Sequence, residues 1–309
     1  MAQSDNDTEA TPIRGSWAHW AQNLVVSGLI WLALRLPLGA RLATFGWIFR
    51  HLVAPLAGYR KRARAQIAAT YPDMAPADQR RLADRVAENT GRTFIELYAP
   101  EDLADQVTRS RVGGPGLQPL EEARRSGRAI LLVTGHFGNH EAGRHALIQR
   151  GFVIGGLYRR MANPYFNDHY TRTMIELSGP TFEKGRKGTM GFARFLKSGG
   201  TGVLLFDLFD RHGEVVEFLD RPALTSTSAA ELALRFDALL VPFFGERQAD
   251  GQTFDIQFDT PIAHSDPLSM TREMTRALER RIARAPDQWF WYHLRWKPEK
   301  TAEILAQRD

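Results

Sequence analysis

A histidine and a glutamate separated by four residues, His136 and Glu141, form the pattern in this chain that best fits enzymatic chemistry. A histidine with a pKa near neutrality can take a proton from an alcohol. A carboxylate one helical turn away can hold the other ring nitrogen, which fixes the tautomer and stabilises the imidazolium. We therefore expect His136 to be a general base and Glu141 to orient it. The alternative is that His136 only caps a helix and Glu141 is a surface residue.

The elements on either side favour the catalytic interpretation. The apolar run Ala129–Thr134 predicts a buried strand, and Ala142–Gln149 predicts the helix that follows it. Gly135 ends the strand, so His136 lies where a core strand leads into a helix. Open α/β sheets bind ligands at the carboxyl ends of their strands. The free N–H groups of a helix N-terminus also favour developing negative charge.

Further apolar runs predict the rest of a sheet. We expect strands at Phe152–Tyr158, Gly202–Phe206, Ala238–Phe244 and Phe254–Phe258 and an amphipathic helix at Thr271–Ala285. The predicted fold is α/β, with a mixed, largely parallel sheet flanked by helices. The site is expected at the C-terminal ends of the strands that begin at Ala129, Phe152 and Gly202.

Composition limits the class of protein. The chain has 309 residues, 43% of them hydrophobic, which suits one large α/β domain or two small ones. Its formal net charge of +5 favours an anionic partner, such as nucleic acid, an acidic membrane surface or an acidic carrier protein. The absence of cysteine excludes disulfides, thiol nucleophiles and cysteine–zinc sites.

The N-terminal region differs from the rest. Residues 1–15 are polar and predict a disordered tail, whereas residues 16–57 predict hydrophobic anchor helices. The uncharged stretch Ala21–Leu34 is shorter than the roughly 20 residues that span a bilayer. Four tryptophans, of a type favoured at membrane interfaces, lie in this region: Trp17, Trp20, Trp31 and Trp47. We expect an interfacial or shallowly inserted anchor, with the basic cluster Tyr59–Arg64 against anionic headgroups. The alternative is a buried amphipathic helix pair.

Several of these stretches resemble a known family. The sequence HFGNHE at His136–Glu141 resembles the H-x4-(D/E) motif of glycerolipid-type acyltransferases. More narrowly, the chain resembles the late acyltransferases of lipid A biosynthesis, the lauroyl and myristoyl transferases. Tyr158–Pro164 is similar to a Y-R-P-x-x-N-P stretch of that family, with Arg160 in place of the first proline. Phe218–Thr227 resembles a loop of that family, which predicts a loop here, and Ala285–Lys297 is similar to the family ending APEQWLWxHRRWK. The resemblance covers roughly Leu42 to Lys297.

This resemblance implies an O-acyltransferase. Its donor would be a thioester of acyl-carrier protein or of coenzyme A. Its acceptor would be a hydroxyl of a lipid A precursor at the cytoplasmic face of the inner membrane. The alternative acceptor is another lysolipid, such as a lysophospholipid or an aminolipid. It implies an N-terminal anchor, an acyltransferase domain over residues 58–300 and a C-terminal tail over residues 301–309. No cofactor or metal is expected. The residues expected to bind substrate are Arg159, Asn163, Arg172 and Arg186, the arginines forming a basic patch that faces His136.

Other classes fit less well. A zinc hydrolase is disfavoured because His140 and His145 are five residues apart, whereas helical zinc ligands are four apart. A serine hydrolase is disfavoured because the chain has no G-x-S-x-G sequence. Nucleic-acid binding is disfavoured because the basic residues are scattered. A non-catalytic lipid-binding protein is the competing hypothesis, and His136→Ala distinguishes it from an enzyme.

Overall fold

The centre of the molecule is a seven-stranded sheet with the order β1-β9-β8-β2-β5-β3-β4. The computed structural model describes residues 15–158, 160, 163–165, 167–168, 171 and 179–307. The strands of the sheet are β1 Arg111–Gly113, β2 Ile130–Thr134, β3 Ile154–Tyr158, β4 Thr181–Glu183, β5 Thr201–Leu205, β8 Leu239–Arg247 and β9 Phe254–Phe258. Five strands, from β8 to β4, run in one direction, while β9 is antiparallel to β8 and parallel to β1. The predicted mixed, largely parallel sheet is confirmed.

Helices flank this sheet, as predicted. Those before β2 are α1 Trp17–Ala33, α2 Leu38–Ile48, a π-helical segment Phe49–Val53, α3 Ala54–Leu56, α4 Tyr59–Thr70, α5 Pro76–Glu96, α6 Pro100–Thr108 and α7 Leu117–Ser126. Those described after it are α8 His140–Ile148, α9 Arg186–Lys197, α10 Ser228–Arg235, α11 Pro267–Arg284, a 3-10 turn Pro286–Gln288 and α12 Pro298–Ala306. Helix α12 crosses the boundary that the sequence predicted between domain and tail.

The central strand β2 shows why its sequence is a continuous apolar run. All five of its residues are buried. Ile130 and Leu132 belong to the hydrophobic core on one face of the sheet. Leu131 and Val133 belong to the core on the other face. Because side chains alternate across a strand and helices cover both faces, the four positions from Ile130 to Val133 must all be apolar.

A third, smaller core joins the N-terminal helices to α5. It contains Ile30, Ala33, Leu42, Phe45, Ile95 and Tyr98. Helix α2 approaches α5 closely, since a side chain at Gly91 would collide with the carbonyl oxygen of Phe45. The outer surface of the N-terminal helices is apolar but exposed, with large side chains at Trp17, Trp20, Leu24, Val25, Leu29, Trp31, Leu32, Trp47, Leu52 and Leu56. Among the described helices, none is both long and apolar enough to cross a bilayer.

The stretch predicted as a loop at Phe218–Thr227 was predicted wrongly. It contributes to an antiparallel hairpin of β6 Glu214–Phe218 and β7 Arg221–Thr225. The two turn residues, Leu219 and Asp220, have φ of 50° and 58°, which a type I′ turn requires. The Leu219 N–H donates to Glu279 on α11 at 2.6 Å. This tertiary contact stabilises a turn that lacks the usual Asn-Gly signal.

Candidate active site

The register of two neighbouring strands brings His136 and Asp207 together. In the parallel pair of β2 and β5, Thr134 lies opposite Leu205. The Phe206 N–H continues the ladder by donating to the Thr134 carbonyl at 3.1 Å. His136 and Asp207 each come two residues after the aligned pair, so they leave the same edge of the sheet side by side. This edge holds the C-terminal ends of the parallel strands, where the sequence predicted the site.

Asp207 holds both the backbone and the ring of His136. One carboxylate oxygen, Oδ1, lies 2.7 Å from Nδ1 of the His136 ring. The other oxygen accepts from the His136 N–H at 2.8 Å and from the Trp289 indole N–H at 2.9 Å. The Asp207 side chain is 1% exposed, whereas that of His136 is 25% exposed. The pair is therefore rigid on the carboxylate side and accessible on the imidazole side.

These contacts decide the protonation of the pair. Burial alone would raise the pKa of Asp207, but the adjacent His136 and the three hydrogen bonds outweigh it and hold this pKa well below its usual range. An ionised carboxylate only accepts hydrogen bonds, so Nδ1 of His136 carries a proton. The lone pair on Nε2 is then available to take a proton from a substrate.

The structure gives His136 a different partner from the one predicted. The Glu141 carboxylate is 1% exposed and accepts from Arg144 at 2.9 Å. Its other neighbour is Nε2 of His140, at 3.4 Å. Glu141 follows the first residue of α8, and the i, i+3 spacing turns its side chain towards Arg144 rather than towards His136. Direct orientation of His136 by Glu141 is therefore corrected to orientation by Asp207. A role for Glu141 in catalysis stays a prediction.

The start of α8 is fixed by a buried network. Asn139 caps the helix, and its side-chain oxygen accepts from the Glu141 and Ala142 N–H groups at 3.0 and 3.2 Å. Its amide donates to Glu96 on α5 at 2.8 Å. Glu96 also pairs with Arg247 on β8, at 2.7 and 2.5 Å from its two terminal nitrogens. Gly138, at φ 56°, lets the backbone pass Gly245 closely enough that any side chain at residue 138 would collide with its carbonyl oxygen.

An apolar cleft opens beside His136. Its volume is about 180 Å³, and it lies between α5 and the segment that follows α11. The lining residues are Val86, Asn89, Thr90, Thr93, Phe94, Leu97, His136, Gly138, His140, Asp287, Gln288, Trp289 and Phe290. The Phe290 N–H donates to the His136 carbonyl at 2.9 Å, so this segment is tied to the motif loop. Such a cleft suits an apolar group next to a proton-accepting imidazole.

Two further histidines near His136 are uncharged at neutral pH. Burial lowers the pKa of His140 from 6.5 to about 4, even though Glu141 lies close to it. Burial and the neighbouring His136 lower the pKa of His293 to about 4 as well. The His293 ring lies 4.5 Å from that of His136, centroid to centroid. In the described ranges, no three histidine, aspartate or glutamate side chains lie together as ligands for a metal ion.

Of the predicted substrate-binding residues, the structure describes Asn163 and Arg186, and neither lines the cleft beside His136. Arg159 and Arg172 lie outside the described residues. The Asn163 amide donates to the His19 carbonyl of α1 at 2.9 Å. Arg186 is exposed at the first residue of α9, just after the edge strand β4. Because β5 and β3 separate β4 from β2, at about 4.8 Å per strand, Arg186 starts some distance from His136. The binding roles of these residues stay predictions.

Sequence reasoning missed Asp207 as the partner of His136. Asp207 directly follows the predicted third strand, Gly202–Phe206, just as His136 follows the first. Two polar residues at equivalent positions after two strands are a signal for a shared site if the strands are neighbours. The sequence did not show that β2 and β5 are neighbours, since β3 and β4 lie between them in the chain.

The fold and the site define an α/β enzyme with a carboxylate-held histidine beside an apolar cleft. The family sequence model of the bacterial lipid A biosynthesis acyltransferases matches residues 11–298 of this chain. The chain therefore belongs to that family, and the protein is an acyltransferase.

Individual relatives are distant. The chain is 26% identical to the lipid A biosynthesis lauroyltransferase of Escherichia coli strain K12, over 87% of this chain and 89% of the relative. It is 21% identical to the lipid A biosynthesis myristoyltransferase of the same strain, over 79% and 77%. It is 22% identical to lipid A biosynthesis acyltransferase 1 of Shigella flexneri, again over 79% and 77%.

Proposed function

We propose that the protein is a membrane-associated O-acyltransferase that moves a fatty acyl chain from a thioester donor to a hydroxyl of a lipid A precursor. Acyl-carrier protein is the proposed donor, with coenzyme A as the alternative. The observation that carries the proposal is the 2.7 Å contact between Asp207 and His136 at the edge of an apolar cleft, in a chain of this family.

The proposed reaction uses the free nitrogen of His136. Nε2 takes the proton of the acceptor hydroxyl as its oxygen attacks the thioester carbonyl carbon. The positive charge that develops on the imidazole is stabilised by Asp207, which stays ionised. When the tetrahedral intermediate collapses, the carbon–sulfur bond breaks and His136 returns the proton to sulfur. The products are an ester and a free thiol.

The apolar cleft supports the choice of a fatty acyl substrate. Phe94 of α5 lines the cleft beside His136. The same ring stacks on Phe45 of α2 at 6.2 Å and contacts Phe49 at 5.4 Å. The cleft is thus separated from the N-terminal helices by a single layer of side chains. A lipid held at those helices would have a short path to the catalytic histidine.

The exposed apolar surface of α1, α2 and α3 supports membrane association. We propose that these helices lie on the inner membrane through their exposed apolar side chains, with the catalytic domain in the cytoplasm. Lys61 and Arg64 are exposed on the adjacent helix α4, where they suit anionic headgroups or an acidic carrier protein. Arg159 and Arg172 are also proposed to bind anionic groups of the substrate, and this part of the proposal is supported by the sequence pattern only.

Two experiments test the proposed function. Lipid mass spectrometry of a deletion strain should show lipid A that lacks one acyl group. Loss of an acyl group from another lipid class would instead support a different lysolipid acceptor.

In the second experiment, purified His136→Ala should lose at least 10²-fold in acyl transfer from acyl-carrier protein. The control variant His264→Ala should stay active. The His264 ring is exposed and contacts the Ala238 carbonyl just before β8, at the N-terminal ends of the parallel strands. An active His136→Ala would favour the non-catalytic lipid-binding hypothesis.

A further inference from the structure

A second histidine, His293, lies against the catalytic one. The two rings are 4.5 Å apart between centroids and inclined by 69°, so the edge of one faces the plane of the other. The His293 ring also contacts Phe290, at 4.6 Å between centroids. Gln66 on α4 holds the backbone in place by donating to the His293 carbonyl at 2.5 Å. The position of this ring is therefore set by tertiary contacts and not by the motif loop.

Four backbone N–H groups of the motif loop, those of residues 136–139, already have partners within the protein. The His136 N–H donates to Asp207, and that of Phe137 donates to the Gly135 carbonyl. The N–H groups of Gly138 and Asn139 donate to the carbonyls of Gln288 and Gly245. In many acyl-transfer enzymes such N–H groups stabilise the oxyanion. Here these four are engaged, which favours a side chain as the donor for a charge that develops beside His136.

The His293 imidazole has the properties required of that donor. Its Nε2 is buried and has no hydrogen-bond partner among the described residues. A buried polar atom without a partner is costly, and such atoms are common where a substrate completes the contact. Burial, together with His136 and Arg62, lowers the pKa of His293 to about 4 and keeps the ring neutral, although the nearby Asp207 acts in the opposite direction. A neutral imidazole carries one N–H, which it can donate without losing its proton.

We propose that His293 is a catalytic residue that donates a hydrogen bond to the oxyanion formed when the acceptor hydroxyl attacks the thioester. This inference rests on the proposed acyl transfer. The new carbon–oxygen bond pushes the carbonyl electron pair onto oxygen, and His293 stabilises the resulting negative charge. His136 takes the hydroxyl proton and later gives it to sulfur as the carbon–sulfur bond breaks. His293 keeps its own proton throughout, so the proton balance involves His136 alone.

Two substitutions separate the hydrogen bond from the shape of the ring. His293→Phe keeps a planar ring and removes the donor, while His293→Gln keeps an N–H at a similar reach. We expect His293→Phe to lower kcat by about 10²- to 10³-fold with KM within about threefold of wild type. His293→Gln should retain kcat within about tenfold. In His293→Gln the acidic limb of the pH profile should not move, because His293 does not titrate in that range in the wild type.

His145→Gln is the matched control. His145 is also buried, its pKa is also lowered by burial, and its Nε2 also lacks a partner among the described residues, but it lies on α8 away from the cleft. It should keep wild-type kcat. Circular dichroism and melting temperature should show that all variants are folded. Wild-type kcat in His293→Phe would overturn the inference, as would equal losses in Phe and Gln or a failure of both to fold. Absence of acyl transfer by the wild-type enzyme would instead overturn the proposed function.

Discussion

Asp207 is the residue on which the proposed chemistry of His136 most depends. Asp207→Asn preserves the volume of the side chain, but an amide can donate to Nδ1 and so favour the wrong imidazole tautomer. We expect kcat to fall by about 10²- to 10⁴-fold with little change in KM. Steady-state kinetics with a thioester donor measures this loss.

The same assay compares the carboxylates of Asp207 and Glu141 as partners of His136. Asp210→Asn is the control, because Asp210 accepts from the His212 N–H in an exposed loop three residues further on. Glu141→Gln should also lose activity if its predicted catalytic role holds, through its contact with His140. Full activity of Asp207→Asn beside an inactive Glu141→Gln would restore the original pairing of Glu141 with His136.

The partly buried histidine His140 makes stability depend on pH. Its folded-state pKa is about 4, against an ordinary value of 6.5, so the unfolded state binds more protons between these values. Stability therefore falls as pH drops below 6.5. The loss from this one residue is roughly 2 kcal/mol between pH 7 and pH 5. Urea denaturation at both pH values should show that loss reduced in His140→Gln. His51→Gln, at an exposed position, should behave as wild type. An equal loss in all three proteins would show that His140 is not responsible.

At the residue scale, the sequence located the proposed catalytic histidine but not the carboxylate that contacts it. The His136 motif could be found because its chemistry is encoded within six consecutive residues. Its contact with Asp207 spans 71 positions and depends on the strand order, which local patterns do not contain. The orientation of the Glu141 side chain depends on the residue at which α8 begins. Helix boundaries are the least certain part of a sequence prediction.

The elements around the site were predicted where one physical signal dominates. The strand β9 coincides with the predicted Phe254–Phe258. The hairpin of β6 and β7 was missed because Leu219 and Asp220 are unusual residues for a turn with positive φ. Tertiary packing against α11 decides that turn. The polar network at the start of α8 was equally hidden, since its members come from α5, β8 and the motif loop.

That network should carry measurable stability. Glu96→Ala leaves Arg247, a buried cation, without its carboxylate partner and frees the Asn139 amide. We expect the free energy of unfolding to fall by about 3 to 5 kcal/mol. Asn139→Ala, which removes the cap of α8, should cost about 1 kcal/mol by itself. Urea denaturation measures both losses.

An exposed ion pair provides the comparison for Glu96. Asp78→Ala removes the partner of Arg81 on the surface of α5, and the expected loss is below about 1 kcal/mol. Losses of similar size in Glu96→Ala and Asp78→Ala would mean that the buried pair is not a specific support for the motif helix. Activity should follow the same order, because a displaced α8 also displaces His140 at the cleft.

At the scale of the whole molecule, the exposed apolar surface and the basic helix α4 come from neighbouring parts of the sequence. The exposed apolar residues belong to α1, α2, α3 and the π-helical segment, and the basic helix α4 follows immediately. Removing these helices altogether would expose the small core that α2 shares with α5. A deletion would therefore confound loss of membrane contact with loss of folding. Substitutions at exposed positions avoid this problem.

Leu24, Val25 and Leu29 of α1 are all more than half exposed, so changing them to serine should leave the fold intact. If α1 lies on the membrane, the triple variant loses the burial of three aliphatic side chains. At about 1 kcal/mol for each half-buried side chain, binding to phosphatidylglycerol-containing vesicles should weaken by roughly 100-fold. Cosedimentation measures this affinity. The control variant, Val153→Ser with Met190→Ser, changes two exposed apolar residues elsewhere and should bind as wild type. Equal binding by all three proteins, or no binding by the wild type, would contradict membrane association through these helices.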